Sequence, residues 1–147
     1  MATYQKFNIH AEDINEGVHN MASHQLRLAL SLVAPVATNS VLTDLTEIAY
    51  TNLSGDPTSR DITLSSSAQS PAGTYNLTLT DLTLTAAGGA MNAFRYVSVF
   101  NLDTAVKADP LICFFDYGSS LTLNSGESLT IDWESNGPTT GILYSVT

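Results

Sequence analysis

Three histidines and a nearby glutamate near the start of the chain are the first candidates for chemistry. His10, His19 and His24 lie close to Glu16 in sequence, and imidazole and carboxylate are groups that bind zinc in proteins. Two ligands on one helix share a face when they are four residues apart. His19 and His24 are five residues apart, which separates them by about 140° around a helix. The spacing favours solvated or capping histidines, and no metal site is predicted.

Carboxylates in the last third of the chain are the second candidates. A converging pair of carboxylates could hydrolyse a glycoside, whereas a calcium loop needs a D-x-D-x-D-G pattern that the sequence lacks. The sequence also has no G-x-S-x-G motif and no phosphate-binding glycine loop. We therefore predict no enzyme, no catalytic residue and no cofactor, and turn or solvent roles for Asp103, Asp109, Asp116, Asp132 and Glu134.

Aromatic residues with polar tips are a third possibility, because such rings suit carbohydrate and protein surfaces. They alternate with apolar neighbours on predicted strands, which favours the core or a subunit interface over a sugar-binding platform. The residues concerned are Tyr75, Tyr96, Tyr117, Tyr144 and Trp133.

The stretch from Leu111 to Trp133 predicts the kind of element that positions these side chains. An apolar run, LICFF, is followed by two segments of alternating polarity on either side of a turn that contains Gly126. Alternation of this kind indicates half-buried antiparallel strands. Cys113, the single cysteine, lies inside the apolar run. A buried core role is therefore favoured over a nucleophile, which needs exposure.

The rest of the chain repeats this pattern and predicts about eight strands with frequent turns. Residues 26–32 and 41–50 are expected as strands, and residues 65–73 as a polar loop. Residues 94–100 are apolar on both faces, which predicts a central strand covered on both sides. A change of phase at Thr80-Asp81 predicts a bulge or a bend. The fold expected is all-β: a two-sheet antiparallel β-sandwich, jelly-roll-like, with a short N-terminal helix or arm.

Residues 1–24 differ from the remainder in their pattern. Ala11, Ile14, Val18 and Met21 have helical spacing, and Gly17 disfavours a long helix. We expect residues 1–24 to form an N-terminal arm and short helix, and residues 25–147 to form a single β-sandwich domain. Removal of residues 1–10 is expected to leave that domain folded.

Length and charge limit the possible partners. The chain has 147 residues and a net charge of −9, from 14 acidic and 5 basic residues. Nucleic-acid binding needs clustered Lys and Arg, which are scattered here. No apolar stretch has the roughly 20 residues of a membrane span, and the N-terminus lacks a signal-peptide core. We expect neither nucleic acid nor membrane as a partner, and synthesis in a cytoplasm.

Four segments together resemble a family of small virion proteins of tailed bacteriophages. They are KFNIHAEDINEGVHNM, LRLALSLVAPVATNSVLTDLTEIA, AFRYVSVFN and PLICFFDYGSSLTLNSGESLTIDW. The resemblance is colinear and covers most of the chain. After Ile48 the sequence departs from the family, because AYTNLSGDPTSR replaces a Gly-rich turn.

The resemblance implies a non-enzymatic capsid decoration (cement) protein on the virion surface. Its partners would be the major capsid protein and further copies of itself, as a homodimer or homotrimer. The N-terminal segment is the candidate docking element, through Tyr4, Phe7, Ile14 and Val18. The alternative is a receptor- or glycan-binding module of a head or tail fibre.

Overall fold

The protein is described by a computed structural model that covers residues 3–69, 73–103 and 105–133, and the backbone of residues 140–146. Its strands all pair antiparallel, so an all-β fold with a short N-terminal helix is confirmed. The elements are β1 (Thr3–Lys6), α1 (Ile9–Asn15), β2 (Leu26–Ser31), β3 (Asp61–Ile62), β4 (Leu64–Gln69), β5 (Tyr75–Thr80), β6 (Leu82–Thr85), β7 (Phe94–Asn101), β8 (Leu111–Leu121), β9 (Ser128–Ile131) and β10 (Thr140–Val146).

One layer is a five-stranded sheet in the order β1-β8-β7-β2-β3. Strand β7 is its middle strand, and both of its faces are covered, since Val99 and Phe100 point in opposite directions and are both buried. The prediction of a central strand at residues 94–100 is therefore confirmed.

The opposite layer consists of two shorter ladders, β10-β5-β4 and β6-β9. Only Asp81 separates β5 from β6, and the chain passes from one ladder to the other at this position, where an irregularity was predicted. Leu77, Leu84 and Trp133 of this layer share one core with Leu28 and Val99 of the five-stranded sheet. The layers thus stack like a sandwich, although the pairing divides into three sheets where two were predicted. The jelly-roll strand order stays a prediction.

A second, smaller core covers the outer face of the five-stranded sheet. Because side chains alternate along a strand, Leu28 of β2 enters the main core while Ala29 faces the smaller one. Phe7 and Leu42 bring the N-terminal segment and the loop after β2 onto this face. The buried members are Phe7, Ala29, Phe100, Leu111 and Phe114.

Two local predictions were wrong. Residues 41–50 are not a strand, because Asp44 accepts hydrogen bonds from the backbone N–H groups of Ser40 and Val41 and closes a 3-10 turn, Leu42–Asp44. Residues 65–69 belong to strand β4, although they were predicted as a loop. This strand lies at the edge of its sheet, where exposed serines such as Ser65 are tolerated.

The N-terminal segment, residues 3–24, begins with a strand that the sequence pattern did not predict. Strand β1 pairs with β8, with Tyr4 opposite Phe115. Helix α1 ends at Asn15, and Gly17 then adopts a φ of +72°, a conformation that glycine reaches without strain. The segment is therefore joined to the five-stranded sheet at its edge.

Candidate functional site

The structure places the four predicted docking residues very differently. The Tyr4 side chain is 42% exposed and contacts the Phe115 ring edge-on, at 5.5 Å between ring centroids. Phe7 is 0% exposed and packs on Phe114 at 4.9 Å. Val18 is buried and Ile14 is half-buried against the main core. In the folded chain, Phe7 and Val18 are buried in the core. Tyr4 is therefore the most exposed of the four predicted docking residues.

The same segment holds a buried group of polar side chains, which we call the histidine cluster. It joins helix α1 and the turns that follow it to the end of β7 and the loop beyond. Its members are His10, Asp13, His19, His24, Asn101 and Lys107. The sequence spacing did not predict this grouping, because Asn101 and Lys107 are distant in sequence.

Asn101 is the central hydrogen-bonding residue of the histidine cluster. It is 0% exposed, and its Nδ2 lies 2.9 Å from Nδ1 of His19 and 2.9 Å from Nδ1 of His24. An amide nitrogen can only donate, so both imidazoles accept through Nδ1 and carry their proton on Nε2. The other amide atom, Oδ1, accepts the backbone N–H of Asp103 at 3.1 Å. Both polar atoms of the Asn101 side chain therefore have hydrogen-bond partners.

An ion pair lies beside this amide. Lys107 Nζ is 3.1 Å from each carboxylate oxygen of Asp13, a buried residue. His19 Nε2 lies 3.8 Å from the same carboxylate, which is too long for a hydrogen bond. Asp13 therefore has its main partner in Lys107, and His19 receives only a weak attraction from it.

Burial keeps two of the imidazoles neutral. It lowers the pKa of His10 to about 3, with smaller effects in the same direction from His19 and Lys6. Burial also lowers the pKa of His19 to about 4, and outweighs the opposing attraction of Asp13. The His10 and His19 rings are 5.2 Å apart between centroids. A proton on either ring would be unfavourable, so His10 and His19 are uncharged near neutral pH.

The histidine cluster does not have the arrangement of a metal site. Among the residues that the structure describes, no group of three or more His, Cys, Asp or Glu side chains could hold a metal ion. What the cluster can do is respond to protons.

A second polar group, the arginine cluster, consists of the buried Arg60 and its partners Glu47, Tyr50 and Asp56. Arg60 donates through Nη1 to the carbonyl of Leu28 at 2.8 Å and through Nε to Asp56 at 2.6 Å. Its guanidinium lies 3.7 Å from the centre of the Tyr50 ring. The Tyr50 hydroxyl donates to Glu47 and accepts the backbone N–H of Leu30. Burial and this contact with Glu47 raise the Tyr50 pKa.

Tyr50, Asp56 and Arg60 of the arginine cluster lie in the loop at residues 49–60. Sequence reasoning treated Arg60 as one of several scattered bases and missed its burial. Thr58, Ser59 and Arg60 form a 3-10 turn, and the Arg60 side chain reaches the Leu28 carbonyl of β2. Its function is structural: it fixes the loop against the five-stranded sheet.

Asp116 and Cys113, two of the earlier candidates, have structural roles. Arg95 holds Asp116 through two bonds of 2.8 Å and lowers the pKa of that carboxyl group, which disfavours it as a proton donor near neutral pH. Cys113 is buried, and its burial raises the pKa of the thiol. Glu134 lies outside the described residues.

The aromatic candidates do not form a common platform in the described structure. Trp133 is buried and donates from Nε1 to the Thr80 carbonyl, while Tyr117 is 51% exposed. Between them is an apolar cleft of about 220 Å³, lined by residues that include Phe115, Ile131 and Asp132. The side chain of Tyr144 lies outside the described residues.

Two further observations complete the description. In the part of the chain that the structure describes, no helix has both the length and the apolar character to cross a membrane. Comparisons with protein-family models, with curated proteins and with solved structures give no match to this chain.

Proposed function

We propose that this chain is a non-enzymatic structural protein of a tailed-bacteriophage virion, of the capsid decoration type. The colinear resemblance of four segments to small virion proteins supports this function. The structural observation in its favour is strand β1, an edge strand of the five-stranded sheet whose four side chains are all exposed.

A strand of another protein can extend a sheet at its edge strand. Here Tyr4 adds an exposed aromatic ring to the edge strand, and such rings commonly anchor interfaces. The partner would be the major capsid protein at the outer surface of the shell. Many copies on one shell make each weak contact effective through multivalency, and self-association as a homodimer or homotrimer would match the capsid symmetry.

The copy number of the protein per purified virion tests this function. Quantitative mass spectrometry against the major capsid protein gives the ratio directly. We expect a ratio near one to one or another simple large fraction. A handful of copies per particle, or none, would overturn the decoration role.

The contact surface is tested by two variants of strand β1. Tyr4→Ala removes the exposed ring, while Gln5→Ala changes the next exposed side chain, which points to the opposite face. We expect several-fold weaker binding to purified capsids for Tyr4→Ala and little change for Gln5→Ala. Equal binding by all three proteins would exclude Tyr4 as a docking residue. Deletion of residues 1–10 is a poor test, because it removes Phe7 from the smaller core.

A receptor- or glycan-binding module is the second candidate, and the observation that favours it is Tyr117. Its exposed ring lines the apolar cleft together with Asp132 and Thr130, which combines an aromatic face with polar groups. A glycan array probed with the wild-type chain and with Tyr117→Ala checks this candidate. Binding that is lost in the variant would support it, and the absence of any bound glycan would remove it.

A further inference from the structure

The histidine cluster connects two parts of the chain that are far apart in sequence. His10, Asp13, His19 and His24 belong to the N-terminal segment, whereas Asn101 ends β7 and Lys107 lies in the loop beyond it. The polar ties between the two parts run through the Asn101 amide and the Lys107–Asp13 ion pair. These contacts attach residues 9–24 to this end of the sheet.

A proton would break the central hydrogen bonds. Protonation of His19 places a hydrogen on Nδ1, which then faces the donor Nδ2 of Asn101. Rotation of the amide would present Oδ1 instead, but Oδ1 already accepts the backbone N–H of Asp103. Either arrangement loses a buried hydrogen bond.

The surrounding charges do not compensate for such a proton. The charged and titratable groups that act on His10 and His19 from the neighbouring elements are Lys6, Asp13, His24, Lys107 and each other. Asp13 supplies the attraction for a protonated His19, and it is already held by Lys107 at 3.1 Å. Added positive charge is therefore repelled by a lysine on either side of the cluster.

We propose that the histidine cluster is an acid-operated latch, in which protonation of His19 and of the adjacent His10 releases residues 9–24 from the end of β7. Opening would withdraw Val18 and Met21 from the core. Strand β1 and Phe7 would remain attached, because they are held separately by the β8 ladder and by Phe114. This latch is a property of the chain alone and does not rest on the proposed function.

The direction of the effect follows from the burial of the two rings. An imidazole released into water has its ordinary pKa of 6.5, whereas the attached rings titrate at about 3 and about 4. At a pH between the pKa of the attached rings and 6.5, the open state binds more protons than the closed state. The fraction of open molecules therefore increases as the pH falls. The limiting increase is about tenfold per pH unit for each imidazole. Asp116 also stabilises the fold when it is ionised. Its ordinary pKa is 3.8, which lies below most of the pH range in which the latch responds.

Hydrogen exchange measured by mass spectrometry tests the latch. The wild-type protein is compared at pH 7 and pH 5, with each rate corrected for the intrinsic pH dependence of amide exchange. We expect protection of residues 9–15 and 16–24 to fall at least tenfold, while β7 keeps its protection. Unchanged protection in residues 9–24, or an equal loss throughout the chain, would overturn a local latch.

Two matched variants assign the effect to the buried rings. The double variant His10→Gln and His19→Gln keeps hydrogen-bonding side chains at both positions but cannot titrate, and we expect it to lose the acid response. His24→Gln retains both buried imidazoles and serves as the control, which we expect to keep most of the response. A full acid response in the double variant would contradict the latch.

A third variant and a direct titration remain informative even if the double variant does not fold. Asn101→Asp supplies an acceptor to the protonated Nδ1 of His19, so it should reduce the acid response. In the wild-type protein, an NMR titration of the three histidine ring signals should show two rings that stay neutral at pH 5. Titration of all three near 6.5 in the folded protein would exclude the proposal by itself.

Discussion

The arginine cluster and the histidine cluster both bury polar groups against the five-stranded sheet, but they differ in the charge that they bury. Arg60 is permanently charged, and its guanidinium contacts two carboxylates, a carbonyl and an aromatic face. The histidine cluster buries two imidazoles in their neutral form, beside an ion pair that uses the nearby carboxylate.

This difference determines how the stability of each segment depends on pH. A buried cation with several partners stabilises one arrangement at every physiological pH, because guanidinium does not lose its proton. A buried neutral imidazole stabilises its arrangement only while the pH lies above the range in which it would be protonated in water. The loop at residues 47–60 is therefore fixed, and the segment at residues 9–24 is conditional.

The largest expected effect is the removal of the buried cation. Arg60→Met keeps much of the apolar stem but removes the hydrogen bonds of the guanidinium to the buried Leu28 carbonyl and to Asp56, and hydrogen bonds of a charged group are typically worth about 1.5–3 kcal/mol each. Urea unfolding at pH 7 measures the change in the free energy of unfolding. A loss below about 1 kcal/mol would show that the arginine cluster does not stabilise the fold as described.

The pH dependence of the wild-type protein distinguishes the two clusters directly. Each imidazole that stays neutral when folded lowers the free energy of unfolding by up to about 1.4 kcal/mol per pH unit as the pH falls from 6.5 toward 4. Arg60→Met should keep this slope, since guanidinium does not titrate there, and the double variant His10→Gln and His19→Gln should lose most of it. Urea unfolding at pH 7, 6 and 5 gives the three slopes, and a flat wild-type profile would remove the contrast.

Removal of Lys107 should have an intermediate effect. Lys107→Met leaves the buried Asp13 carboxylate without its cation, with an expected loss of about 1–3 kcal/mol at pH 7. The change also removes a positive charge that lowers the pKa of His19, so the acid dependence should become shallower. Thermal unfolding at pH 7 and pH 5 tests both effects, and a steeper acid dependence would contradict the assigned electrostatics.

The smallest effect is expected at the exposed ion pair of Arg95 and Asp116. The two side chains are 37% and 25% exposed, and ion pairs in contact with water contribute little to stability. Asp116 also keeps the backbone N–H of Gly118 as a donor. Arg95→Met is thus the exposed counterpart of Arg60→Met. Urea unfolding that gave equal losses for both would show that burial does not set the difference between them.

The predictable parts of the fold are those with a strong local pattern. Leu28 and Leu30 alternate with Ala29 and Ser31, and this period of two already defines a strand with two faces. Gly17 indicated where helix α1 ends. Residues 41–50 misled the same reasoning, because their apolar spacing resembled a strand while the side chain of Asp44 closed a turn that no hydrophobic pattern records.

The sequence by itself determined the all-β class, the short N-terminal helix, the central strand β7 and the irregularity at Asp81, because these depend on the periodicity of neighbouring residues. Only the tertiary structure decided that Phe7 belongs to a core, that Arg60 is buried, and that Asn101 joins two histidines of the N-terminal segment. Such contacts join residues more than 30 positions apart. Chain folding brings these residues together, and the spacing of neighbouring residues in the sequence does not encode such contacts.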